Sequence, residues 1–210
     1  MTTAAAFWDK VAAKYAKSPV KNVRAYEQTL ERTRSYLGPE ARVLEIGCGT
    51  GTTALKLADA AGHITATDIS GEMIVIAEAK RLTEGVSNVE FATTDSRAAG
   101  EGGYDAVLAF NLLHLLEDPA ATVRHAREML KPGGVFISKT MCLAEASVMF
   151  RPMIFIMQLL GKAPHVGFFR AGRSGEPDRG RGLRDRGGDG LRRRSAQPLH
   201  CRPPDLTSGA

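Results

Sequence analysis

The chain has 210 residues, 43% of them hydrophobic and 24% charged, which is enough for one ordinary domain with a buried core and excludes wholesale disorder. Its net charge of +5 would suggest a nucleic-acid binder, but residues 1–169 balance 18 Lys and Arg against 18 acids. Residues 170–210, with 10 Arg, no Lys and 5 acids, carry the whole excess, so the body lacks the basic groove that a nucleic-acid partner needs.

Two helices are expected first. Phe7, Val11 and Tyr15 repeat at i, i+4, i+8, and Val23, Tyr26, Leu30, Thr33 and Leu37 follow at spacings of three and four. Ser18-Pro19 separates these helices, and Gly38-Pro39 is expected to stop the second. Short apolar strands then alternate with amphipathic helices. Strands are predicted at Arg42–Ile46, Ile64–Thr67, Val89–Ala92, Tyr104–Phe110 and Val135–Thr140. The intervening helices are predicted at about Thr52–Ala61, Gly71–Leu82 and Pro119–Leu130, the last opened by Asp118-Pro119 and stopped by the Lys131-Pro132-Gly133-Gly134 turn. This alternation implies a doubly wound α/β fold with a mostly parallel sheet and helices on both faces.

The rest of the chain has a different texture. Met141–Leu160, rich in Met, Phe, Ile and Leu, is expected to be a helix on the sheet or a greasy lid over a substrate site. Residues 170–210 have 8 Gly, 4 Pro and no Val, Ile or aromatic residue, too little apolar surface to offset ordering entropy. A solvated tail, an Arg/Gly-rich RNA-binding segment and out-of-frame translation are the competing explanations. The abrupt loss of Lys and of β-branched residues favours the third, and the lack of aromatics between the arginines weighs against the second. The expected division is therefore N-terminal helices over 1–40, a ligand-binding α/β unit over 41–140, a lid segment over 141–169 and a tail over 170–210. Cys48, Cys142 and Cys201 form no CxxC pair, the histidines have no ligand spacing, and no metal site is expected. No apolar run reaches the roughly 18 residues of a membrane span and no secretory leader is evident, so a cytoplasmic location is expected.

The chemistry lies in Val43-Leu44-Glu45-Ile46-Gly47-Cys48-Gly49-Thr50-Gly51-Thr52, where a strand runs into a glycine-rich turn that opens a helix. Such a turn lets backbone N–H groups approach a ligand, and Asp68, at the tip of the next strand, can accept both hydroxyls of a ribose. The pair indicates a nucleoside. A dinucleotide fingerprint starting at Gly47 would need glycine where Thr52 stands, and the pyrophosphate of a nicotinamide cofactor disfavours Glu45 beside the turn. S-adenosyl-L-methionine has no phosphates and carries an ammonium and a sulfonium, so an acid there suits it.

Glu45-Ile46-Gly47-Cys48-Gly49-Thr50-Gly51 resembles motif I of the class I S-adenosylmethionine-dependent methyltransferases. Further similar segments fall in order: Asp68-Ile69-Ser70 with Met73, Asp95-Ser96, Tyr104-Asp105-Ala106-Val107, Asn111-Leu112-Leu113-His114 and Leu130-Lys131-Pro132-Gly133-Gly134. The match spans about residues 7–169 and is most similar to the small-molecule branch that includes quinone-biosynthesis C-methyltransferases. The resemblance implies a Rossmann-like sheet, S-adenosyl-L-methionine as cofactor and a small-molecule methyl acceptor. It implies that Gly47, Cys48, Gly49 and Glu45 hold the methionine end, Asp68 the ribose, Ile69 the adenine face, and Asp95 with Ser96 the adenine amine, with Met73 also among the cofactor-binding residues. Asn111 would face the transfer site, and Tyr15 would close over the methionine carboxylate. His114 is the candidate general base, with a structural histidine as the alternative; Cys48 is read as a small turn residue and no catalytic thiol. The family's sheet normally carries two further strands, and nothing after Phe169 could supply them. A non-catalytic cofactor-binding module is therefore the rival reading, with a nicotinamide-dependent oxidoreductase more distant.

Overall fold

The structure is a computed structural model that describes residues 3–99 and 101–140. Met141–Leu160, the 170–210 segment, Cys142 and Cys201 lie outside the described residues, as does everything expected of a lid, a tail or missing strands.

Helix α1 (Thr3–Ala16) and helix α2 (Val23–Arg34) precede strand β1 (Arg42–Ile46). Helix α3 (Thr52–Leu57), extended by a 3-10 turn over Ala58–Ala60, leads to strand β2 (His63–Asp68). Helix α4 (Gly71–Glu84), strand β3 (Val89–Thr93) and strand β4 (Tyr104–Phe110) follow. A 3-10 turn over Leu113–Leu115, helix α5 (Pro119–Met129) and strand β5 (Leu130–Lys139) complete the described chain. The sheet order is β3-β2-β1-β4-β5, with all pairs parallel. The chain steps outward from β1 to β3 and then crosses back to β4, so the switch point lies between β1 and β4. Open parallel sheets bind ligands at the carboxyl ends of such strands.

Alternation divides β1 between the two faces of the sheet. Val43 joins the cluster made with Leu55 and Leu57 of α3, Ile74 and Ala77 of α4, and Leu30 of α2. Leu44 and Ile46 point into the second cluster, with Tyr104, Val107 and Ala126 of α5. Both faces of β1 are therefore buried. Gly51 opens α3 in the left-handed conformation, φ +73, and a Cβ there would come within 2.5 Å of the Phe91 ring and 2.7 Å of the Ala77 methyl. Gly51→Ala is expected to destabilise the fold by about 3 kcal/mol, from backbone strain plus overpacking, read as a lowered midpoint in urea titration.

Helix α1 forms where the Phe7–Val11–Tyr15 repeat puts it, with Phe7 and Val11 partly buried. Ala5 and Ala12 are buried where α1 packs on α4, and Tyr15 is 50% exposed. Small side chains let the two helices approach closely, and this outweighs the larger apolar residues beside them. Two expectations need correction. Helix α2 ends at Arg34, before Gly38-Pro39, because Ser35 caps it with its N–H on the Glu31 and Thr33 carbonyls. Its start is capped by the Asn22 side chain accepting from the Ala25 N–H at 3.0 Å. Lys131-Pro132-Gly133-Gly134 does not separate α5 from a strand but lies within β5 as a bulge. Tyr104 pairs with Leu130 while Ala106 pairs with Val135, so extra residues loop out, with Gly133 at φ +86.

Candidate functional site

The carboxyl ends of β1, β2 and β4 and the inner side of α1 enclose one cleft. It is lined by Glu45, Gly47, Cys48 and Gly49 after β1, Asp68, Ile69 and Met73 after β2, and Thr94, Asp95 and Ser96 after β3. Phe110, Asn111, Leu112, Leu115 and Leu116 line it after β4, and Ala4, Trp8 and Tyr15 from α1. Eleven of the twelve candidate residues thus come together from segments far apart in sequence. His114 does not. Leu112, Leu115 and Leu116 form the wall while the imidazole is buried, 7% exposed, in the 3-10 turn. Burial depresses its basicity, and its Nδ1 has no hydrogen-bond partner.

The glycine-rich turn is shaped from both sides. Cys48 N–H donates to the Thr67 carbonyl at 2.9 Å, tying the turn to β2, and Gly51 N–H donates to the Cys48 carbonyl at 3.1 Å. Gly49 stands at φ +55, and a Cβ built there would find only the Tyr15 ring, at 3.8 Å. That position is open toward the cleft, and only glycine leaves both the conformation and the approach free. Lys80 of α4 fastens the far side of the turn, donating to the Thr50 carbonyl at 3.0 Å and to the Thr50 and Thr52 hydroxyls at 2.9 Å each.

Asp68 terminates β2 with both carboxylate oxygens oriented. Oδ2 accepts from Gly49 N–H at 2.8 Å and Oδ1 from Ser70 N–H at 2.9 Å. Burial raises its pKa, against the pull of the Ser70, Gly49 and Ile69 N–H groups. Asp95 is held by the Arg97 N–H at 2.8 Å and its guanidinium at 3.2 Å; burial acts upward on its carboxyl, but these bonds outweigh it and leave the pKa lowered. Asn111 has φ +53, the one positive value among the described non-glycine residues. Asparagine tolerates this conformation better than most residues, and such strain is a mark of functional sites.

Glu45 decides the electrostatics. It is 2% exposed, and its Oε2 is buried without a hydrogen-bond partner. Burial and the neighbouring Asp68 charge push its pKa up to about 8, although the Ala54 N–H at the start of α3 acts the other way. Burial, then Glu45 and Asp68, also push the Cys48 thiol well up, which makes it a poor nucleophile. Among the described residues the cleft is lined by three acids and by no Lys, Arg or His. A pyrophosphate would be repelled here, whereas a ligand with an ammonium beside Glu45 and a ribose beside Asp68 satisfies the orphaned oxygen. The donor set therefore fits S-adenosylmethionine better than a dinucleotide. Among the described residues no His, Cys, Asp or Glu group could hold a metal ion.

A methyltransferase-domain family model matches residues 44–136, the stretch from β1 into β5 that builds most of the cleft. Over that stretch the chain is similar to the class I methyltransferases. The ubiquinone biosynthesis O-methyltransferase of Xanthomonas axonopodis pv. citri (strain 306) is 31% identical to this chain over 166 residues, 76% of it. The corresponding protein of Xylella fastidiosa (strain 9a5c) is 33% identical over 130 residues, 60% of the chain. The chain spans 66% of the first relative's length and 52% of the second's. Among solved structures, the DhpI–SAM–HEP complex is 26% identical, superposes with a TM-score of 0.58, and matches over 83% of this chain and 77% of its own. The sequence resemblance pointed to quinone-biosynthesis C-methyltransferases, whereas these quinone relatives are named for oxygen.

Several residues lining the cleft carried no sequence signal: Ala4 and Trp8 of α1, Thr53 and Thr94, and the apolar wall after β4. The approach of α1 to the cleft is a tertiary fact. The helix could be foreseen from periodicity, but not the side it presents. Among the described residues no helix is long and apolar enough to cross a membrane.

Proposed function

We propose that this chain binds S-adenosyl-L-methionine in the cleft and transfers its methyl group to a small-molecule acceptor. The observation that carries the reading is the buried Glu45 carboxyl, with one oxygen unpartnered in a cleft that Asp68 and Asp95 line as well. When bound, S-adenosylmethionine supplies a methyl group already activated on a sulfonium, so an acceptor atom can displace S-adenosylhomocysteine in line. The protein's part is proximity, alignment and exclusion of water. Glu45 neutralises the methionine ammonium, the Gly47–Gly49 backbone takes its carboxylate, and Asp68 accepts the ribose hydroxyls. Ile69 and Met73 pack on the adenine, and Asp95 with Ser96 accommodates its edge. Tyr15, whose phenol is held above its ordinary pKa by partial burial and by Asp68, stays a neutral donor at the methionine end.

Phe110, Leu112, Leu115 and Leu116, beside Asn111, give the transfer end an apolar wall, which supports an apolar acceptor. The quinone-pathway relatives make a phenolic oxygen the first acceptor to try. The test is incubation of the purified chain with methyl-tritiated S-adenosylmethionine and a panel of alkylated catechols, followed by organic extraction. Label in the extract supports the reading; a chain that binds cofactor but labels nothing on the panel leaves the non-catalytic binding module as the better one. His114→Ala is expected to lower thermal stability while leaving turnover per folded molecule and S-adenosylhomocysteine affinity unchanged, because the imidazole packs behind the wall. A fall in turnover at unchanged stability would restore the ring as a base.

A further inference from the structure

A polar contact of helix α1 reaches the corner between β2 and α4, and it adjoins the residue assigned to the ribose. Asp9 Oδ1 accepts from the Ser70 hydroxyl at 2.6 Å and from the Glu72 N–H at 3.2 Å. Ser70 is fully buried, and three of its hydrogen bonds meet at this corner. Its N–H donates to Asp68 Oδ1, its hydroxyl donates to Asp9, and its oxygen accepts from the Met73 N–H at 3.2 Å as the cap of α4. Trp8 is the neighbour of Asp9 on α1. It stacks edge-on against Tyr15 with ring centroids 6.3 Å apart, and both line the cleft. Helix α1 packs against α4, and its buried apolar residues are Ala5 and Ala12.

We propose that Asp9 is a positioning residue whose hydrogen bonds to Ser70 and Glu72 latch α1 in place, keep Trp8 and Tyr15 as one wall of the cleft, and thereby set how fast the cofactor leaves. It rests on the cofactor reading above. The carboxylate contacts no ligand; it acts through the helix that carries the two aromatic rings. The same Ser70 is oriented by Asp68 from one side and by Asp9 from the other, so ordering of Asp68 by a ribose and docking of α1 reinforce each other.

Trp8 is the single tryptophan of the chain, so its fluorescence reports on α1 with no added label. In the ligand-free full chain, Asp9→Ala is expected to increase acrylamide quenching of Trp8. In stopped flow, the dissociation rate of S-adenosylhomocysteine should rise about fivefold with the association rate little changed, the scale of one net hydrogen bond to a solvent-accessible carboxylate. Ser70→Ala should raise the same rate, and the double variant should add nothing further, which a merely structural defect would not reproduce. Asp9→Leu removes the acceptor at similar size and serves as the readout if the alanine variant does not fold. Unchanged quenching and dissociation in Asp9→Ala or Asp9→Leu, or additive effects of Asp9→Ala and Ser70→Ala, would overturn the latch. If the wild-type chain binds no S-adenosylhomocysteine, the cofactor reading fails and the quenching comparison alone decides the latch.

Discussion

Asp68→Ala should reduce the affinity for S-adenosylhomocysteine by about 100-fold or more, since two charge-assisted hydrogen bonds to the ribose are worth about 3–5 kcal/mol together. The loss has a second source. The Gly49 and Ser70 N–H groups each donate to this carboxylate, so its removal also frees the glycine-rich turn and the corner that leads into α4. Asp68→Asn separates the two effects: its amide keeps one acceptor at similar size, and an intermediate loss of about tenfold is expected. Calorimetric titration of the three proteins, with thermal melts to confirm folding, measures both. Equal affinity in wild type and Asp68→Ala would remove the ribose from this position.

The second large effect is proton release at Glu45. In the ligand-free protein its carboxyl, raised to about 8, is mostly protonated at neutral pH, and only the carboxylate can neutralise an ammonium. Binding must therefore expel a proton, and affinity should climb with pH, approaching tenfold per pH unit up to about 8 and flattening above it. Glu45→Gln should lose most of that slope and bind more weakly at the alkaline end. Stability moves in the opposite direction. The folded pKa of about 8 lies above the unfolded value near 4.5, so the stabilising contribution is complete below 4.5 and is lost as pH rises through 8. Ligand-free wild type should melt at progressively lower temperature between those limits, with a weaker trend in Glu45→Gln. A wild-type melting temperature independent of pH across that range would show that Glu45 is ionised in the free protein.

The sheet was legible in the sequence because its signals are local and repetitive. β1 and β4 match their expected limits, since alternation and runs of buried apolar residues are unambiguous there, and β2 and β3 differ by one residue at an end or two. Asp118 before Pro119 marked the start of α5 correctly, its carboxylate accepting from the Ala121 N–H at 2.9 Å. The face of α1 was not legible because periodicity marks large apolar residues, whereas the buried residues of the helix are Ala5 and Ala12 and its polar contact is Asp9. The bulge in β5 was taken for a turn because Pro132 and two glycines look the same in either setting. At the site, the motif residues were legible because glycine and acid spacing carries the chemistry. The Lys80 tripod on the turn, the Asp9 latch and the Trp8 wall were invisible, because each joins segments tens of residues apart by contacts that no local pattern encodes.

The most direct test of the account is calorimetric titration of S-adenosylhomocysteine, and separately of NADH, into the folded chain at pH 8. The account predicts saturable one-site binding of the nucleoside thioether and no heat from the dinucleotide, whose pyrophosphate would meet Glu45, Asp68 and Asp95 in a cleft lined by no described cation. A folded chain that takes up NADH, or that ignores S-adenosylhomocysteine, would contradict it.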